Sequence, residues 1–184
     1  MIAYAIYNGF DGNSNLLTHR LRYISQKADM LLYRDKYIRD YQKYAKIFVR
    51  EAKRFNFKKI LIHQDIDLAS FLNVDGVHLT SKQLQSIPTA KLFNLFTIAS
   101  THTLTEVKDA ERLGADMITF SPIFDTPNKG EPKGVEVLRE IVSRVNIPVI
   151  ALGGILTEDD IEKCRLAGAE GFASIRYFNE ATLK

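Results

Sequence analysis

The chain has 184 residues, 46% apolar and 26% charged, with a formal net charge of +3. That length and balance fit one folded domain with a sizeable core, and they exclude a disordered chain. Its single cysteine, Cys164, excludes an internal disulfide and suits a reducing compartment. No signal peptide precedes the first strand-like run and no apolar stretch approaches the roughly 20 residues of a membrane span, so a cytoplasmic location without membrane contact is expected.

The first apolar run, Ile2 to Tyr7, predicts a strand. The second, Ala28-Asp29-Met-Leu-Leu-Tyr33, ends on Arg34-Asp35-Lys36, two cations able to neutralise an anionic group. Basic residues then recur (Lys43, Lys46, Arg50, Lys53, Arg54, Lys58, Lys59) opposite Tyr44, Ile47, Phe48 and Phe55. That is the wet face of an amphipathic helix, and no recognition motif accompanies it, so no nucleic-acid partner is expected. Lys59 to His63, Val74-Asp75-Gly-Val-His-Leu79 and Phe93 to Ser100 predict the next three strands.

Thr103-Leu-Thr-Glu106 reads as a capping box opening a helix that Gly114 ends. The sixth strand, Ala115-Asp116-Met-Ile-Thr-Phe120, runs into the loop Ser121 to Gly130 and then a helix-like stretch from Val135 to Val145. Ile147 to Leu152 predicts the seventh strand, and Thr157-Glu-Asp-Asp160 caps a helix that stops at Gly168. Ala169-Glu170-Gly-Phe-Ala-Ser174 predicts the eighth.

The second, fourth, sixth and eighth strands share one pattern, a small residue, an acid and then an apolar run, at intervals long enough for two strand–helix units. Nearly all-apolar strands alternating with helices predict a parallel sheet covered on both faces. The expected fold is α/β, a single short (β/α)8 TIM barrel over residues 1–184, with an open doubly wound sheet as the alternative.

In such a barrel, function sits at the carboxyl ends of the strands. The loop Ser121 to Gly130 offers a hydroxyl, an amide and an ammonium (Thr126, Asn128, Lys129) suited to an anion such as phosphate. Gly153-Gly154 and Ser174-Ile175-Arg176 end the last two strands, where barrels often hold phosphate through backbone N–H groups. A tight turn into the following helix is the plainer account of the glycines. His102, at the entrance to a capped helix, suits a proton donor or acceptor. His63 and His78 end their strands, and a buried, hydrogen-bonded role is expected for His78. No ligand spacing or carboxylate supports a zinc site built from His63, His78 and His102, so no metal is expected.

Tyr33-Arg-Asp-Lys36, His63-Gln-Asp-Ile-Asp-Leu-Ala69, Gly76-Val-His-Leu79, Ser100-Thr-His-Thr103, Ser121 to Lys129 and Ala151-Leu-Gly-Gly-Ile155 together resemble the thiamine phosphate synthase/TenI family of barrels. The resemblance implies a thiamin-biosynthesis enzyme with a phosphorylated thiazole as its small-molecule partner, a homo-oligomer being left open. It implies binding roles for Arg34, Lys36, His63, Ser100, Thr126, Asn128, Lys129, Gly153, Gly154, Ile175 and Arg176. In the synthase branch, a thiazole nitrogen attacks a pyrimidine pyrophosphate and magnesium helps pyrophosphate leave. The metal carboxylates of that branch fall here on Gln64 and Gln83, and the strand-two glutamine on Leu32. Their loss favours the TenI branch, a cofactor-free tautomerisation of a thiazole phosphate carboxylate with His102 as acid/base. The alternatives are the synthase itself, with magnesium, and a non-catalytic thiazole- or thiamin-phosphate-binding regulator.

Overall fold

The structure, a computed structural model, describes residues 1–179. Strands and helices alternate along it: β1 (Ile2–Tyr7), α1 (Ser14–Ser25), β2 (Met30–Tyr33), α2 (Tyr41–Ala52), β3 (Lys59–His63), α3 (Ile66–Phe71) and β4 (Gly76–Leu79). A 3-10 turn (Ser81–Ser86) leads into α4 (Ile87–Leu92), β5 (Phe96–Thr101), α5 (Leu104–Arg112), β6 (Met117–Phe120), α6 (Gly134–Ser143), β7 (Val149–Leu152), α7 (Glu158–Leu166) and β8 (Gly171–Ser174). Every strand is parallel to its neighbours in the chain and β8 pairs with β1, so the sheet closes into an eight-stranded barrel. This is the short (β/α)8 barrel expected from the sequence rather than an open sheet. Residues 180–184 of the expected domain lie outside the described residues.

Side chains alternate between two cores. Tyr4, Ile6, Met30, Leu32, Leu61, Ile98 and Ile150 fill the barrel, while Ala5, Tyr7, Leu31, Tyr33, Ile62, Val77 and Ala99 pack against the helices. Burial on both faces is why the strands read as unbroken apolar runs. Cys164 is buried on α7, and burial pushes its thiol up to about 12.

The repeated acids hold the amino-terminal rim together. Asp29, Asp75 and Asp116 stand just ahead of β2, β4 and β6. Their carboxylates accept from an N–H of the preceding strand, Ala3 at 2.9 Å, Ile60 at 2.7 Å and Thr97 at 2.7 Å. Hydrogen bonds to a charged acceptor are worth roughly 1.5–3 kcal/mol each. Lys58 and Lys91 complete the arrangement by pairing with Asp29 and Asp116 at 2.7 and 2.6 Å.

Three local features differ from the expectation. Phe93 does not open β5, because its N–H still donates to Thr89 O at the end of α4 and Asn94 turns the chain at φ 56°. The helix after the long loop begins at Gly134 and ends at Ser143, near but not on the limits expected. Asp160 completes a second capping box, accepting from Leu156 N and Thr157 N at 3.0 Å each. Many basic residues around α2 are engaged locally. Arg50 and Arg54 pair with the buried Glu51, and Lys53 Nζ donates to Leu72 O and Asn73 O at the end of α3. Among the described residues, no helix is long and apolar enough to cross a membrane.

Candidate active site

The carboxyl ends of the strands surround a cavity of about 430 Å³. Ile6, Leu32, Leu152 and Ile175 form apolar walls, His63, His78 and Ser100 come from the strand ends, and Arg34, Lys36, Lys82 and Lys129 bring cations. His102, Ser121, Thr126 and Gly153 complete one side, and among the described residues no Asp or Glu lines the cavity.

The interior of the site is polar but uncharged. His78, 2% exposed, bridges Tyr4 Oη at 3.0 Å and Ser100 Oγ at 2.9 Å, the buried, hydrogen-bonded role expected for it. Burial, reinforced by the nearby charges of Arg34 and Lys36, pushes His63 down to about 3. Burial, then His63 and Arg34, pushes His78 down to about 3 as well. Both rings are therefore neutral at physiological pH.

The cations press on one another. Burial lowers the pKa of Arg34. Lys36 is lowered first by the charge of Arg34, then by burial and by Lys129. None of Arg34, Lys36, Lys82 and Lys129 enters an ion pair among the described residues. Asp35, between two of them in sequence, is turned away to accept from Gly9 N at 2.9 Å and Phe10 N at 3.3 Å. Converging cations without counter-charge define an anion site.

His102 is held from both ends. Its backbone N–H donates to Glu106 Oε2 at 2.6 Å and its ring Nδ1 lies 3.0 Å from Ser121 O. A carbonyl can only accept, so in the neutral ring Nδ1 carries the proton and Nε2 is left as an acceptor.

The loop after β6 lies across the loop after β7. Ile123 N donates to Leu152 O at 3.0 Å and Phe124 N to Gly153 O at 2.9 Å. Gly153 and Gly154 adopt φ 102° and 70°. A Cβ at 153 would sit 2.8 Å from Pro122 Cα, and one at 154 would sit 2.5 Å from Asp125 O. Loop-on-loop packing therefore already requires both glycines. Within the loop, Thr126 Oγ1 donates to Phe124 O at 2.9 Å and a turn closes through Lys129 N to Thr126 O at 3.2 Å.

Of the residues singled out in the sequence, Arg34, Lys36, His63, Ser100, His102, Thr126, Lys129, Gly153 and Ile175 line the cavity together. Asn128, Gly154 and Arg176 lie outside that lining. Asn128 is an exposed turn residue at φ 60°, a conformation its short amide side chain tolerates. Lys82 was missed. Its only sequence signal is its place in the loop after the fourth strand.

The sequence matches the thiamine monophosphate synthase family over residues 3–178. The chain belongs to that family. It is 34% identical to an Aquifex aeolicus protein named "Putative thiamine-phosphate synthase 2", with 96% of this chain and 97% of the relative aligned. It is 36% identical to the thiamine-phosphate synthase of Chlorobium phaeobacteroides over 69% of this chain and 64% of that one. The solved structure of a thiamine phosphate pyrophosphorylase from Pyrococcus furiosus superposes with a TM-score of 0.79 at 26% identity, covering 98% of this chain and 89% of that one. These relatives correct the tautomerase expectation: they carry the synthase name, and no finding supports a tautomerase.

The donor atoms near the mouth do not suit the magnesium that the synthase branch implies, since hard divalent ions favour carboxylate oxygens. Gln83 Oε1 accepts from Thr80 N at 3.2 Å and Thr80 Oγ1 at 3.1 Å, while its Nε2 donates to Gln64 O at 3.2 Å. Asp65, the nearest acid after β3, caps α3 by accepting from Leu68 N at 2.8 Å. Among the described residues, no group of three or more His, Cys, Asp or Glu is placed to hold a metal.

Proposed function

We propose that this chain joins a phosphorylated thiazole to a pyrimidine carried as its methyl diphosphate ester, giving thiamine phosphate and free diphosphate. The observation that carries the reading is the carboxylate-free, cation-lined cavity in a chain of the thiamine monophosphate synthase family. The thiazole nitrogen gives its lone pair to the methylene carbon as the C–O bond breaks, and the bonding pair leaves on diphosphate. Charge thus develops on the departing oxygens, where fixed cations stabilise it most. Arg34, Lys36 and Lys129 are assigned to that leaving group, with the Thr126 hydroxyl beside them. Gly153 and Ile175, on the side of β7 and β8, are assigned to the thiazole phosphate.

The apolar walls and the neutral His63 and His78 leave the reacting carbon and nitrogen in an uncharged surround. The coupling needs no proton transfer, so His102 is assigned to orientation, with Nε2 accepting from the substrate. The test is incubation of the full chain with both substrates while thiamine phosphate and diphosphate are quantified. Equal amounts of the two products are expected. No product at any magnesium concentration overturns the reading.

A further inference from the structure

The cavity that the proposed coupling uses contains four cations and no acid, and this imbalance leads further than the family likeness does. Two phosphoryl groups carry about three to four negative charges near neutral pH. Arg34, Lys36, Lys82 and Lys129 supply that many positive charges around one space. Three side chains near the mouth that could offer oxygen to a divalent ion are already engaged. Gln83 is tied to Thr80 and Gln64, Asp65 to the start of α3, and Asp35 to Gly9 and Phe10. Lys82 stands one residue from Gln83 in the turn after β4, midway in the strand order between Arg34 and Lys36 after β2 and Lys129 after β6.

We infer that Lys82 acts as a diphosphate-binding residue, and that with Arg34, Lys36 and Lys129 it takes the counter-charge role, so that diphosphate binds with no divalent ion held by the protein. The inference rests on the coupling reading for the identity of the anion. The lowering of Lys36 by Arg34 and Lys129 agrees with it, because an anion relieves that repulsion. An ammonium offers a mobile point charge, which suits a group that must release its anion after each turnover.

The test is calorimetric titration of inorganic diphosphate into the full chain, once in chelator and once in excess magnesium. Binding in chelator, with a Kd that magnesium shifts by no more than about threefold, is the expected result. Lys82→Ala should weaken binding in chelator by about tenfold, the size of one charge-assisted contact discounted for exposure, and Lys82→Arg should restore most of it. Thermal melts of both variants matching the parent show that the fold is intact; Lys82 is exposed and does not pack in the core. Diphosphate binding that appears only with magnesium overturns the inference while leaving the coupling reading intact. An unchanged Kd in Lys82→Ala also overturns it. Tight magnesium-free binding without any coupling overturns the coupling reading instead, and upholds the anion site.

Discussion

The two buried histidines make the stability of this barrel depend on pH in a window where few other groups titrate. His63 and His78 are each pushed from the usual 6.5 to about 3 in the folded protein. The unfolded chain therefore binds protons that the folded chain refuses, so stability rises with pH between those values. The contribution is fully present above 6.5 and is lost progressively as pH falls toward about 3. At pH 5 the deficit is about 1.5 units on each ring, or about 2 kcal/mol per histidine and about 4 kcal/mol for the pair. That is a large share of the roughly 5–15 kcal/mol that holds a domain together. Asp29, Glu51 and Asp160 have carboxyls lowered below their usual range, so their losses come at more acid pH and do not obscure the effect. Urea unfolding at pH 7.5 and pH 5.0 measures it directly. His78→Gln, which removes one of the two titrating rings, should unfold more easily at pH 7.5 but lose only about half as much on acidification. Equal acid losses in the parent and His78→Gln, or a parent indifferent to pH across this window, would refute the buried-neutral account.

Gly154→Ala forces a side chain into φ 70° and within 2.5 Å of Asp125 O, so a loss of about 2–4 kcal/mol by urea unfolding is expected, with weaker diphosphate binding as the loop after β6 shifts. Arg34→Ala should lower kcat/KM for coupling by about 100-fold or more, because it removes a charge-assisted contact that strengthens as diphosphate departs. His102→Gln should keep coupling within about tenfold of the parent, since an orienting hydrogen bond is lost but no proton carrier is. Asp116→Ala removes the acceptor of Thr97 N and the partner of Lys91 at the far rim. It should cost about 1–3 kcal/mol in unfolding while leaving KM unchanged.

The strands and most helix limits were legible because their signals are local: apolar runs of strand length, Thr103 and Thr157 as caps, and Gly114 and Gly168 as stops. The acids of the repeat were visible too, but not their job, because the N–H groups that Asp29, Asp75 and Asp116 accept from lie 15 to 26 residues away in sequence. The site was legible to the extent that strand ends could be read. His63, Ser100 and Ile175 fell in place because a barrel's mouth is fixed by where its strands stop. Gly153 and Gly154 looked like room for a ligand, yet the atoms nearest their missing Cβ belong to the loop after β6. Lys82 and the engagement of Gln83 could not be read, since both depend on how the turn after β4 folds back toward Gln64.

The two ends of the barrel divide the electrostatic work. At the amino-terminal rim, Asp29 and Asp116 meet both backbone N–H groups and lysines, so their charge is spent on joining strands. At the carboxyl end, Arg34 is half-buried and its charge bears on the exposed Lys36, an arrangement that opposes folding. His63 and His78 stay neutral first because burial disfavours their charged forms, and the nearby charge of Arg34 adds to that. A site assembled in this way is pre-set for an anion before one arrives, since its cations need not be freed from partners to receive it. The acid-free lining therefore does more than fit a diphosphate. It adds to the burial that keeps the histidines below it uncharged, and Asp35 and Asp65 beside it are turned toward backbone N–H groups.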